Sequence, residues 1–115
     1  MSPPSDKELV SVLVATRNRA DDLKKCVVSL LASSYQPFEV IVVDQSPTVT
    51  ALPADPRLSV ISSTSVGKTS ALNIGLKRAR GTVLAFTDDD CTVPPEWIAR
   101  GVERLRAHAD VGLIF

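Results

Sequence analysis

Residues 10–19 read VSVLVATRNR, a mostly apolar, β-branched run that gives way at once to polar and cationic side chains. Val10 to Ala15 is too short for a stable helix and reads as a strand. Its apolar residues are nearly consecutive rather than alternating, so both of its faces need cover. The same junction returns in FEVIVVDQS at 38–46 and in TVLAFTDDD at 82–90. Leu58–Ile61 is a weaker strand, and Val111–Phe115 (VGLIF) reads as a fifth at the end of the chain.

Helical periodicity fills the intervals. Leu23, Cys26, Val27, Leu30 and Leu31 recur on one face, with Asp21 and Asp22 in the first turn, Asn18 as the expected cap and Pro37 as the barrier to continuation. Thr69–Ala79 carries Ala71, Leu72, Ile74, Leu76 and Ala79 as its apolar set, with Gly81 as the expected stop. Beyond Pro95, a first-turn residue, Ile98, Val102 and Leu105 share one side. Gln45–Arg57 holds Pro47, Pro53 and Pro56 and reads as loop. The expectation is a frayed lead-in over 1–8 and one domain over 9–115. Its fold class is α/β: a mostly parallel sheet with helices on both faces, Rossmann-like, with the strand C-termini on one edge.

Composition narrows the function. In 115 residues, 44% apolar and 23% charged, thirteen basic side chains balance thirteen acidic ones. That balance argues against a partner such as nucleic acid or an anionic membrane, which needs a cationic surplus. Cys26 and Cys91 are too few for a disulfide scaffold or a zinc knuckle. His108 leaves a Ser-His-Asp triad a single candidate, and its place near a helix C-terminus gives it a structural reading. No apolar run is long enough for a transmembrane segment, and the expected setting is cytoplasmic, free or peripheral to the membrane.

The edge formed by the strand ends gathers Thr16-Arg17-Asn18-Arg19, Asp44-Gln45-Ser46, Gly67-Lys68-Thr69-Ser70 and Asp88-Asp89-Asp90. Both signs of charge on one edge point to a phosphorylated ligand. If the aspartate run is extended, Asp88 and Asp90 face one pocket while Asp89 points elsewhere. Paired carboxylates suit Mg²⁺ or Mn²⁺ shared with phosphate oxygens; the competing reading is a solvated acidic turn. Lys68 opens a helix, where backbone N–H groups and the dipole favour an anion, or is a surface lysine beside a turn glycine. Asp44 is either an acceptor for a base N–H or a turn former. Arg17 and Arg19 meet phosphate or solvent. Cys91, behind three acids, is no nucleophile; Cys26 belongs to the core and Trp97 to packing.

VSVLVATRNRADDLKKCVVSLLASSYQPFEVIVVDQS and GKTSALNIGLKRARGTVLAFTDDDCTVPPEWI together resemble the nucleotide-binding half of family 2 glycosyltransferases, which have the GT-A fold. The resemblance runs from about Val10 to Ile98 and implies inverting, metal-dependent transfer from a nucleotide-diphospho-sugar, most often a UDP-sugar, to an acceptor hydroxyl. It implies Thr16 and Asn18 at the nucleoside, Asp44 at the base and Lys68 near the nucleotide. It places Asp88 and Asp90 in the DxD motif, with Asp90 foremost on Mg²⁺ or Mn²⁺ and Asp89 near the nucleotide. Gln45 stands where relatives commonly carry a second acid, and Ser70 where many carry Arg, which leaves Lys68 to supply the charge alone. No residue matches the catalytic base, which the family places in an acceptor half beyond this chain. The acceptor stays undefined, and a terminal strand with an open edge would favour homo-oligomers.

Three alternatives compete. A catalytically incomplete nucleotide-binding or oligomerisation module differs by lack of turnover. A P-loop NTPase is imitated by SSTSVGKT, but Ser62 stands where the first glycine is required. A response-regulator receiver would need acids at Thr16–Arg19.

Overall fold

The computed structural model describes residues 8–48, 50–107 and 113–114, the last pair and Ala107 as backbone. Residues 1–7 of the expected lead-in, His108, and the ends of the VGLIF segment lie outside the described residues. The elements run β1 (Val10–Thr16), α1 (Ala20–Leu31), β2 (Phe38–Asp44), β3 (Leu58–Ser62), α2 (Lys68–Arg78), β4 (Val83–Phe86), α3 (Trp97–Ala107) and β5 (Leu113–Ile114). All pairings are parallel, in the order β3-β2-β1-β4-β5.

The near-continuous apolar strands behave as their composition requires. On one face of the sheet, Val10, Val12 and Val14 of β1 join Val40 and Val42 of β2 and Val83 and Ala85 of β4. Leu23, Cys26, Val27 and Leu30 of α1 and Ile98 and Val102 of α3 close over them. The other face presents Leu13, Ile41 and Val43, all buried, and α2 packs there against β1 and β2. Burying one such side chain is worth about 1.5–3 kcal/mol, so the two-sided cover dominates the stability. β3, at the edge, is only half-buried and leaves Val60 exposed.

The strand order reverses between β1 and β4. One crossover leads outward from β1 to β2 and β3; α2 then carries the chain back across the sheet to β4. The loops leaving β1 and β4 therefore diverge and open a crevice at their C-terminal ends. Register brings Thr16 opposite Asp44 and Asp44 opposite Ser62, so the polar residues that end the strands share one rim.

Several local expectations change. Asn18 does not cap α1: it adopts a left-handed conformation (φ 56°), Arg19 occupies the cap position, and no side chain bonds the helix start. Helix α1 ends at Leu31, well before Pro37, where the Ala32 N–H bonds to Val28 O and the Ser33 N–H to Leu30 O. Helix α2 begins one residue early, at Lys68, and fully buries only Ala71 and Gly75, with Leu76 exposed. Gly81 is not its stop, since α2 closes at Arg78 with Ala79 already extended. The glycine is required by a close approach: a Cβ there would lie 2.6 Å from Leu9 O and 2.6 Å from Ser11 Oγ. Beside it a charge is buried within the apolar β2. Glu39 accepts from Ser11 Oγ at 2.5 Å and from the Arg80 N–H at 2.8 Å. Burial pushes its pKa up, but these bonds and the Arg80 guanidinium outweigh it and hold the carboxyl below its ordinary range. Among the described residues no helix is long and apolar enough to cross a membrane.

Candidate functional site

The rim is tied together loop by loop. Gln45, just past β2, donates its N–H to Thr16 O at 2.9 Å, and its side-chain amide reaches Ser65 Oγ at 3.1 Å and Gly67 O at 3.0 Å. The Asn18 N–H donates to Ser46 Oγ at 2.8 Å, joining the first loop to the second. Gly67 itself takes φ 96° and ψ 150°, a region open essentially to glycine, and so sets where α2 begins and where Lys68 stands.

Asp44 serves this scaffold. It is 1% exposed, and its two carboxylate oxygens accept from the Ser46 N–H at 2.9 Å and the Thr50 N–H at 3.1 Å. Burial pushes its pKa up, yet the bonds from Ser46 and Thr50 prevail and keep it below the usual carboxylate value. These two bonds are those of a turn former.

The aspartate run lies in a turn, with the Cys91 N–H donating to Asp88 O at 3.2 Å. Strand alternation therefore does not apply, and the expectation that Asp89 points away is corrected. Asp89 turns inward: it is 8% exposed, accepts from Thr16 Oγ1 at 2.9 Å, and lies 3.7 Å from the Arg19 guanidinium. Arg19 reaches the exposed Asp90 as well, at 3.6 Å. Asp88 pairs with Lys68 Nζ at 2.5 Å, and this hydrogen bond raises the lysine pKa, so the ammonium stays charged. From below, the buried Cys26 thiol donates to Asp88 O at 3.5 Å and anchors the turn to the core.

Thr16, Lys68, Asp88, Asp89 and Asp90 thus line one open cleft of about 440 Å³, together with Arg17, Arg19 and Gln45. Lys68 does not supply the positive charge alone, as the absence of Arg at position 70 implied; both first-loop arginines contribute. Asn18 stands apart, in a neighbouring polar hollow of about 400 Å³ with Lys24, Ser46 and Thr50. Asp44 lines neither of these two hollows. An apolar cleft of about 730 Å³, bordered by Lys68 and Asp88, is built from Leu72, Phe86, Val93, Pro94 and Trp97. Sequence reading assigned Trp97 to packing and missed this cleft, because periodicity counts such residues as core. Arg19 was visible as a cation, but no local signal linked it to acids some seventy residues away.

The two carboxylates fit a hard divalent cation, whereas the sulfur beside them does not. One oxygen from Asp88, one from Asp90 and the Cys91 sulfur lie within 4.8 Å of one another, all on exposed side chains. Two carboxylates with the remaining positions open suit Mg²⁺ or Mn²⁺ sharing phosphate oxygens. The helix start at Lys68 and the nearby guanidinium groups give the cleft positive charge and free N–H donors, the chemistry that suits an anion.

Comparison with known proteins follows the same lines. The profile of the family described as glycosyl transferase family 2 matches residues 11–115. The chain is 35% identical to the succinoglycan biosynthesis protein ExoO of Rhizobium meliloti (strain 1021), over 93% of this chain and 33% of that protein. It is 28% identical to the glycosyltransferase AglE of Haloferax volcanii, over 84% of this chain and 35% of that one. Among solved structures, the mannosyltransferase PcManGT from Pyrobaculum calidifontis, in complex with GDP-Man and Mn²⁺, superposes with a TM-score of 0.74. The identity is 26%, and the match covers 89% of this chain and 33% of the other. TarS of S. aureus in complex with UDP gives a TM-score of 0.75 at 25% identity, covering 87% of this chain and 32% of that one. The chain spans about a third of the length of these two relatives.

Proposed function

The chain belongs to glycosyl transferase family 2, and from that premise we propose that it forms the donor-binding half of an inverting, metal-dependent transferase. The donor is a nucleotide-diphospho-sugar, with UDP as the favoured nucleotide, and the acceptor a hydroxyl. The observation that carries this reading is the convergence of Thr16, Lys68 and Asp88–Asp90 on one cleft where the strand order reverses.

Each residue takes a role that its surroundings support. Asp88 and Asp90 would hold Mg²⁺ or Mn²⁺ through their exposed carboxylates. When bound, the ion would supply Lewis-acid neutralisation of the charge on the departing nucleoside diphosphate. Lys68 and the first N–H groups of α2 orient the diphosphate. Asp89, fixed by Thr16, keeps the turn in place beside the nucleotide. Asn18 and the loop held by Asp44 face the nucleoside from the neighbouring hollow. In the transfer the acceptor oxygen bonds to the anomeric carbon, the bond to the diphosphate breaks on the opposite face, and the hydroxyl proton passes to a base. We assign that base to the acceptor-binding part of the full protein rather than to any residue of this chain. A nucleotide-binding module without turnover of its own is the second reading. Self-association by strand addition at a sheet edge and a cytoplasmic setting, free or peripheral to a membrane, complete the proposal.

Calorimetric titration with UDP, with and without Mn²⁺, tests the site. Binding is expected only with the metal, and at least about tenfold weaker in Asp90→Ala, a loss of about 1.4 kcal/mol. Metal-independent binding, or binding unchanged by the substitution, contradicts the assignment. A sugar-transfer assay on the same preparation separates the enzyme from the module.

A further inference from the structure

Three consecutive carboxylates in one turn repel one another, and each has a partner in the nucleotide-free cleft. Lys68 holds Asp88 at 2.5 Å. Arg19 spans Asp89 and Asp90 at 3.7 and 3.6 Å, distances at which charge rather than a directed hydrogen bond keeps it there. Both cationic side chains are more than half exposed, at 54% for Arg19 and 64% for Lys68. The oxygens that a divalent ion would need are therefore already shared with monovalent ones.

Resting on the donor-site reading above, we infer that Arg19 and Lys68 are resident counter-ions that exchange partners when the ligands arrive. Each leaves its carboxylate for the diphosphate, and that exchange makes metal and nucleotide admit one another. A dication entering the cleft alone displaces the guanidinium and the ammonium and leaves both beside it without an anion. A diphosphate entering alone draws the two cations away and leaves the carboxylates unpaired. When both enter, Asp88 and Asp90 pair with the metal, the phosphates with the metal, Arg19 and Lys68, and Asp89 keeps its hydrogen bond from Thr16. Exposed ion pairs of this kind are weak enough to exchange readily. Arg19 is accordingly a positioning residue whose charge is used twice, first on Asp89 and Asp90 and then on the donor.

The test is a Mn²⁺ titration of the chain followed by the electron paramagnetic resonance of free Mn²⁺, with and without saturating UDP, on wild type, Arg19→Gln, Lys68→Gln, the double variant and Arg19→Lys. Thermal unfolding of each variant at the wild-type temperature controls for folding. Without UDP, Mn²⁺ affinity is expected to rise about threefold in each Gln variant and about tenfold in the double variant, as the loss of one or two exposed pairs predicts. With UDP the gain disappears, so the factor by which UDP tightens Mn²⁺ shrinks in the same order, while Arg19→Lys follows wild type. If wild type shows UDP-enhanced Mn²⁺ binding but both Gln variants keep its nucleotide-free affinity and its coupling, the exchange is wrong and the donor site stands. An Arg19→Lys variant that behaves like Arg19→Gln overturns the charge argument. Wild type that takes up neither Mn²⁺ nor UDP removes the donor-site reading, and the exchange with it.

Discussion

Cys26 and Cys91 sit on opposite sides of the same acidic turn, and their chemistry is set by that placement. Cys26 is fully buried, donates to Asp88 O, and has its thiol pushed up to about 12, first by burial and then by the charge of Asp89. Cys91 is exposed; desolvation and its bond to Asp90 raise its pKa too. A thiol reagent at pH 8 is expected to modify Cys91 in the native protein, more slowly than a free cysteine, and Cys26 only after unfolding. The same shift fixes the alkaline behaviour. Cys26 binds its proton more tightly folded than unfolded, so it costs nothing below its ordinary value of 9.0 and destabilises progressively as pH rises above it. The slope approaches about 1.4 kcal/mol per pH unit. Rapid double modification of native protein, or a stability curve flat from pH 9 to 11, would contradict this account. Composition placed Cys26 in the core, but its contact with the aspartate turn spans 62 residues and leaves no trace in local pattern.

Two glycines separate packing from conformation among the elements. Gly81 precedes β4 with its backbone against Leu9 and Ser11, whereas Gly67 has open space around it but a φ that other residues resist. Gly81→Ala is expected to lower stability by about 1–3 kcal/mol through overpacking and to leave UDP affinity unchanged wherever the protein is folded. Gly67→Ala is expected to cost about the same through backbone strain and also to weaken UDP, because it moves Lys68. Equal UDP binding in both variants, checked by chemical denaturation and calorimetry, would detach Lys68 from the site. Strands β1 and β2 were legible in sequence because two-sided burial writes itself as an unbroken apolar run. The cap at Asn18 and the stop at Gly81 were misplaced for one reason: residue type indicates conformational freedom, while the contact that uses it comes from another part of the chain. In α2 the periodic set Leu72, Ile74 and Leu76 overstated burial, since the helix rests on the sheet mainly through Ala71 and Gly75.

Across the whole molecule, alternation of strand and helix was sufficient to foresee a parallel sheet with its polar strand ends on one rim. The order β3-β2-β1-β4-β5 then determines which of those ends meet. It brings Thr16 to Asp89 across 73 residues and sets Lys68 on Asp88, while it leaves Asn18 and Asp44 to shape a neighbouring hollow. The site's members were therefore readable as residue types at strand ends, but their pairing was not. The opposite edge shows the contrast: the buried Glu39 carboxylate is satisfied by the Ser11 hydroxyl and the Arg80 N–H, with the exposed Arg80 guanidinium beside it.

The central claim is that a divalent ion and a nucleoside diphosphate meet where the loops from β1 and β4 diverge. Paramagnetic broadening of backbone amide signals by Mn²⁺ at trace concentration, in the presence of UDP, locates that point directly. The account predicts that amides of residues 16–19, 68 and 88–91 disappear first, while those around Ser11, Glu39 and Gly81 at the far edge stay sharp. Broadening that begins at the far edge, or that leaves the Asp88–Cys91 turn untouched, would contradict it.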